Sequence, residues 1–189
     1  MQAIAGIQDV LGSWRRLGRH RLPNGTELIA QAPDGDGSQW LHAIYPKLSS
    51  EEIRELESAV GRPLPLDLRT FYRTIGGLSL FCGAFCIHSR GSHYLTLGEE
   101  ALRPPDLARF NHELDSAGWL PADAVAFAEN GWDLTVHVCG MGATPTEVVR
   151  VDRHTGELLQ RHPTIWNLVA EKLLTYEHLL LGDAARPRV

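Results

Sequence analysis

The sequence predicts an α+β fold, a mainly antiparallel sheet with flanking helices in a single domain. Three observations carry this. Apolar residues recur at helical spacing early in the chain, once in the middle and again at its end. The runs between them alternate with period two. Turn signals at Asn130-Gly131 and His154-Thr155-Gly156 each join two alternating runs, the pattern of hairpins.

Taken in order, Ile4, Ile7, Val10, Leu11, Trp14 and Leu17 form the first helical stripe, with Asp9, Arg15, Arg16 and Arg19 off it. The basic run "RRLGRHR" falls on and just after that helix's polar side. It lacks interleaved aromatics, so it reads as a solvated face rather than a nucleic-acid patch. "LPNGTELIAQA" turns at Asn24-Gly25 into a short strand, and "APDGDGSQ" is a polar loop without the acidic spacing of a calcium site.

Ser49 and Glu52 are spaced as a capping box, with Leu48 and Ile53 placed to staple it. Ile53, Leu56 and Val60 make the buried stripe of that helix, and Gly61 ends it. Pro63 and Pro65 rigidify the corner that follows. Leu68, Phe71, Tyr72 and Ile75 are a second stripe, stopped by Gly76-Gly77. Nothing in "GRPLPLDLRTFYRTIGG" is a nucleophile or a base; it is scaffold.

"LFCGAFCIH" reads as one strand, with Phe81, Phe85 and Ile87 on one face and Cys82, Ala84, Cys86 and His88 on the other. A helix carries Leu107, Phe110 and Leu114 after a proline start. In the first hairpin Val125 and Phe127 lead into Asn130-Gly131, and Trp132, Leu134, Val136 and Val138 alternate back. A second hairpin, "EVVRVDRHTGELLQ", precedes a long helix capped by Thr164 and ended by Gly182. The organisation is an N-terminal helix and strand extension over 1–47, the main domain over 48–182 and a loose tail over 183–189.

The charge is unevenly spread. The chain carries −5, and from Glu99 to Asp133 eight acids face only Arg103 and Arg109, a balance of −6. The other 15 acids and 16 bases leave +1, so all the net acidity lies in that stretch. It disfavours nucleic acid and suits a basic partner. No apolar run reaches membrane-spanning length, no signal peptide is legible, and three cysteines without a framework spacing fit the reducing cytoplasm.

The segment "SSEEIRELESAVGRPLPLDLRTFYRTIGG" and its sequel resemble the SUKH superfamily. The sequel comprises "WLPADAVAFAENG", "TVHVCGMG", "VVRVDRHTGE" and "TIWNLVAEKLL". The likeness spans about Leu48 to Leu180, with Ile75 where the family carries asparagine. It implies a binding protein without a shared catalytic site. Many bacterial members are similar to immunity proteins that neutralise polymorphic toxins, and others are interaction modules, one of them a eukaryotic cell-wall regulator. On that reading the chain is a non-catalytic immunity protein with no cofactor or metal, and its partner is a basic toxin domain such as a nuclease. The alternative is an intracellular regulatory or scaffold module.

The expected contact residues are Glu99, Glu100, Trp119, Asp123, Glu129, Trp132 and Asp133. Trp132, flanked by carboxylates after a turn, has the composition of an interface hot spot, or else continues the apolar stripe into the core. Two chemical rivals compete. Cys82, Cys86, His88 and His93 have zinc-ligand chemistry, but an extended strand would hold the two thiols roughly 13 Å apart. Buried free thiols are the plainer account, and a disulfide fails on the same span. His137 with Glu129 or Asp133 could start a hydrolase, yet no nucleophile motif accompanies them. His137 is expected exposed or covered by a helix, and His88, His93, His112 and His154 are expected to be solvated.

Overall fold

The computed structural model describes residues 2–31, 40–91 and 104–181, except the side chains of 2–6, 8 and 181. Five helices and nine strands alternate along it: α1 (Gln2–Arg15), β1 (Arg19–Arg21), β2 (Glu27–Gln31), β3 (Trp40–Ile44), α2 (Ser50–Val60), α3 (Leu66–Tyr72), β4 (Leu78–Leu80), β5 (Phe85–Ile87), α4 (Leu107–Ala117), β6 (Val125–Asn130), β7 (Thr135–Cys139), β8 (Val148–Asp152), β9 (Leu158–His162) and α5 (Ile165–Leu181). The strands form one sheet in chain order, and every neighbouring pair is antiparallel. The α+β expectation holds, and β1–β3 continue the same sheet through β4.

Local sequence explains the first helices well. Ser49 Oγ accepts from the Glu52 N–H at 3.2 Å, and the Glu52 carboxylate accepts from the Ser49 N–H at 2.8 Å, so the capping box is closed. Gly61, at φ 80°, supplies the left-handed residue that ends α2. The corner after it is held by side chains: Glu57 accepts from the Leu64 N–H at 2.9 Å and pairs with Arg69 at 2.6 Å. Gly76 is required by proximity, since a Cβ there would lie 1.8 Å from the Pro46 carbonyl oxygen.

Helices cover both faces of the central strands. On one face α1, α3 and α5 join Leu80, Phe85, Phe127, Cys139 and Val148 in the main core. On the other, Phe110 and Leu114 of α4 pack on Ala126, Val136, Val138, Val149 and Val151. All five residues of β7 are therefore buried, although its sequence alternates.

Several local expectations change. Leu17 lies beyond the end of α1 and is exposed, and "RHR" is the strand β1. "LFCGAFCIH" is not one strand: Phe81 to Ala84 form the turn of the β4–β5 hairpin. The 13 Å strand span between the thiols therefore does not apply. The loop over 32–39, His93, Glu99, Glu100, Gly182 and the tail over 183–189 lie outside the described residues.

Candidate interaction surface

The expected Asn130-Gly131 two-residue turn is longer in the structure. Asn130 pairs with Thr135, so Gly131 to Leu134 form a four-residue tip, all exposed. Leu134 is not part of the buried stripe; it sits at φ 53° and is 57% exposed. Trp132 is 65% exposed and does not enter the core, resting edge-on against Tyr176 of α5 at 5.2 Å. Positive φ is costly for a branched or bulky side chain, so packing must hold this backbone in place.

That packing is visible. Thr135 donates to the Asp133 carboxylate through its N–H at 3.1 Å and its hydroxyl at 2.6 Å. Arg150 reaches Asp133 at 2.6 Å and Thr135 at 2.9 Å, while Asn130 donates to the Thr135 hydroxyl at 2.7 Å. Burial would raise the Asp133 carboxyl, but Thr135 and Arg150 overcome it and hold the group below its ordinary range. The neighbouring tip is bound in as well: Gly131 N–H donates to the Ala84 carbonyl at 3.0 Å. Phe81 and Cys82, at φ 51° and 54°, give that tip its own left-handed pair.

Both tips meet the end of α5. The Tyr176 hydroxyl donates to the Ala84 carbonyl at 3.2 Å, and its ring lies 5.6 Å from Phe81. Leu179 and Leu180 follow one turn later on the same helix face and are exposed. Trp132 and Leu134 thus present large apolar side chains on a tip whose positive-φ backbone is held by the Asn130–Asp133–Thr135–Arg150 hydrogen bonds, and the last turn of α5, beyond Tyr176, exposes Leu179 and Leu180.

The remaining expected contacts are dispersed. Glu129 points to the opposite sheet face, where its carboxylate meets His88 Nε2 at 3.1 Å and Arg153 at 3.1 Å. The hydrogen bond to His88 is the main influence holding Glu129 below the ordinary glutamate range. His88 is buried rather than solvated, stacked on Phe110 at 4.0 Å, and Arg153 lies over the same ring at 5.3 Å. Trp119 is half-buried, donating from Nε1 to the Arg153 carbonyl at 2.9 Å, and Asp123 is exposed in the loop before β6. Four of the described acids of this stretch are matched: Asp115 pairs with Arg62, Glu113 with Arg109 and Arg153, Asp133 with Arg150, and Glu129 as above. Arg62 was not singled out from sequence, yet it also donates to the carbonyls of Pro121 and Ala124.

The chemical rivals do not assemble among the described residues. Cys82, Cys86 and Cys139 are free thiols, and no group of three or more His, Cys, Asp or Glu is placed to hold a metal ion. Burial raises the Cys86 thiol to about 11. His137 is fully buried beneath α5, its ring 5.6 Å from those of Phe85 and His162, on the face opposite Glu129. His112 and His154 are exposed, as expected. No described helix is long and apolar enough to cross a membrane.

No curated protein matches the chain significantly. The model of the SMI1 / KNR4 family (SUKH-1) matches residues 47–171, from just before α2 into α5 and including both hairpin tips. That match covers well over half of the sequence, and the chain belongs to the SMI1 / KNR4 (SUKH-1) family.

Proposed function

We propose that this protein is a non-catalytic, cytoplasmic immunity protein that neutralises a cognate toxin domain by stoichiometric occlusion. The supporting observation is the exposed tip from which Trp132 and Leu134 project, held by internal hydrogen bonds and resting on Tyr176 of α5, whose last turn exposes Leu179 and Leu180. A rigid exposed aromatic among aliphatics is the composition of an interface anchor. Family membership supports binding as the mode of action. A basic toxin face remains the proposed partner. The pairing of Asp115, Glu129 and Asp133 with arginines leaves less free acidity to steer it than the linear charge count implies.

The test is co-purification with the toxic C-terminal domain of a large secreted protein encoded beside this gene, combined with growth rescue in cells expressing that domain. A stable complex with rescue, weakened by W132A, supports the reading. No complex and no rescue would transfer the protein to the alternative class, an intracellular regulatory or scaffold module.

A further inference from the structure

The two halves of α5 are seated differently. In the first, the Ile165 N–H donates to the Asp67 carboxylate at 3.3 Å, and Ile165, Leu168 and Val169 are fully buried in the main core. Beyond Val169 the apolar contacts thin out: Leu173 and Tyr176 are buried, while Leu174, Leu179 and Leu180 are exposed. The surface beneath this second half is polar. His137 of β7 lies opposite Arg150 of β8, the His162 ring of β9 is 5.6 Å from that of His137, and Lys172 comes down from α5 with only 7% of its surface exposed.

His137 is the group in this layer least able to carry a charge. Its ring is fully buried and neither nitrogen has a partner. Burial first, then Lys172, His162 and Arg150, disfavour its protonated form. Ala128 of β6 opposes it and the Phe85 ring of β5 lies against it, so neither neighbour offers a counter-charge. Cys139 and Tyr176, also on this face, are kept neutral by burial. The carboxylates nearby are engaged: Asp133 holds Arg150 at 2.6 Å, and Glu171 accepts from Gln160 at 3.2 Å and lies 3.3 Å from Nδ1 of His162. A protonated His162 therefore has a partner, whereas a protonated His137 has none. Water can relieve that charge only where the cover is weakest. The strands are fixed by their ladders, but the second half of α5 is held to them by side chains alone.

We propose that the second half of α5, from Lys172 to Leu181, is a strap that acid lifts from β7–β9 when His137 takes up a proton. Lifting also draws Tyr176 away from the Ala84 carbonyl and the Trp132 ring, so the tip loses its support. The device belongs to the fold and does not depend on what the tip binds. The docked ring stays neutral, while the lifted ring protonates at the ordinary histidine value of about 6.5. Docking is complete above that value and weakens below it, so the ratio of lifted to docked helix rises about 25-fold from pH 7 to pH 5.

The test is hydrogen–deuterium exchange read by mass spectrometry at pH 7 and pH 5, each rate divided by the intrinsic rate at that pH, with far-UV circular dichroism to check folding. Amides over 173–181 exchange faster than those of α2 at both pH values and accelerate at least about 25-fold on acidification. H137Q and H137F each remove the proton site. In either variant the acceleration over 173–181 drops at least about tenfold, while α2 still responds through the buried His42. Exchange over 173–181 that is the same at both pH values would overturn the proposal. So would rates that match those of α2 throughout, because the opening is then that of the whole fold, or an acceleration retained in H137Q or H137F. The first two outcomes are read on the wild type alone and decide the matter even where a variant does not fold.

Discussion

Acidification from about pH 7 to pH 5 should destabilise this protein through buried imidazoles, ahead of any carboxylate titration. His42 on β3 is enclosed by Trp14 at 5.5 Å and Phe81 at 4.5 Å, and neither of its ring nitrogens has a partner. Burial lowers its pKa from 6.5 to about 4. His137 is enclosed in the same way beneath α5; burial first, then the charges of Lys172 and Arg150 and the neighbouring His162, hold it well below its ordinary value. In the folded chain both rings stay neutral, while the unfolded chain takes up protons as pH falls below about 6.5. Stability is therefore complete above that value and declines downward until the folded pKa is reached.

His42 costs about 1.4 kcal/mol per pH unit below about 6.5, so by pH 5 it alone has removed about 2 kcal/mol, and His137 adds to the loss in the same direction. Glu27, Glu129 and Asp133, all held below their ordinary values, enter only in a lower window. Urea unfolding followed by tryptophan fluorescence at several pH values reads the slope directly. H42F keeps the ring but not the proton site, and should reduce the loss by about 2 kcal/mol at pH 5, leaving the part due to His137 and His162, whatever it does to stability at neutral pH. An unfolding free energy that is flat across this range, or an H42F slope equal to the wild type's, would refute the reasoning.

Other substitutions have equally definite consequences. The Asn111 side chain accepts from the Ala126 N–H at 3.0 Å and donates to the carbonyls of Ala126 and Leu107 at 2.8 and 2.9 Å, so N111L should cost about 2–4 kcal/mol in urea melts. G76A places a Cβ against the Pro46 carbonyl and should cost more than about 3 kcal/mol, seen as loss of soluble protein or of a cooperative melt. R62M removes the donors that hold the carbonyls of Pro121 and Ala124; it should cost about 1–2 kcal/mol and raise amide hydrogen exchange over 119–124. W132A should change folding stability by less than about 1 kcal/mol while weakening the proposed toxin complex by about 2 kcal/mol, roughly 30-fold by calorimetry.

The sequence by itself determined the elements governed by short-range rules. The capping box at Ser49, the left-handed stop at Gly61, the stripes of α2 and α3 and the turn at His154 to Gly156 all depend on residues a few positions apart. It also carried the family, because that likeness is an ordered set of such elements. Tertiary structure alone decided which faces are covered. His137 reads as the polar side of an alternating strand, but α5 lies over it, while Trp132 and Leu134 share the apolar spacing of Val136 and Val138 yet fall on a tip beyond the core. Charge was least legible of all. The acidic stretch looks unmatched along the chain because its arginines arrive from elsewhere: Arg62 lies 53 residues before Asp115, and Arg153 lies 24 after Glu129. Electrostatic pairing depends on distance in space, and the chain order of two residues says nothing about it until the sheet and helices have brought them together.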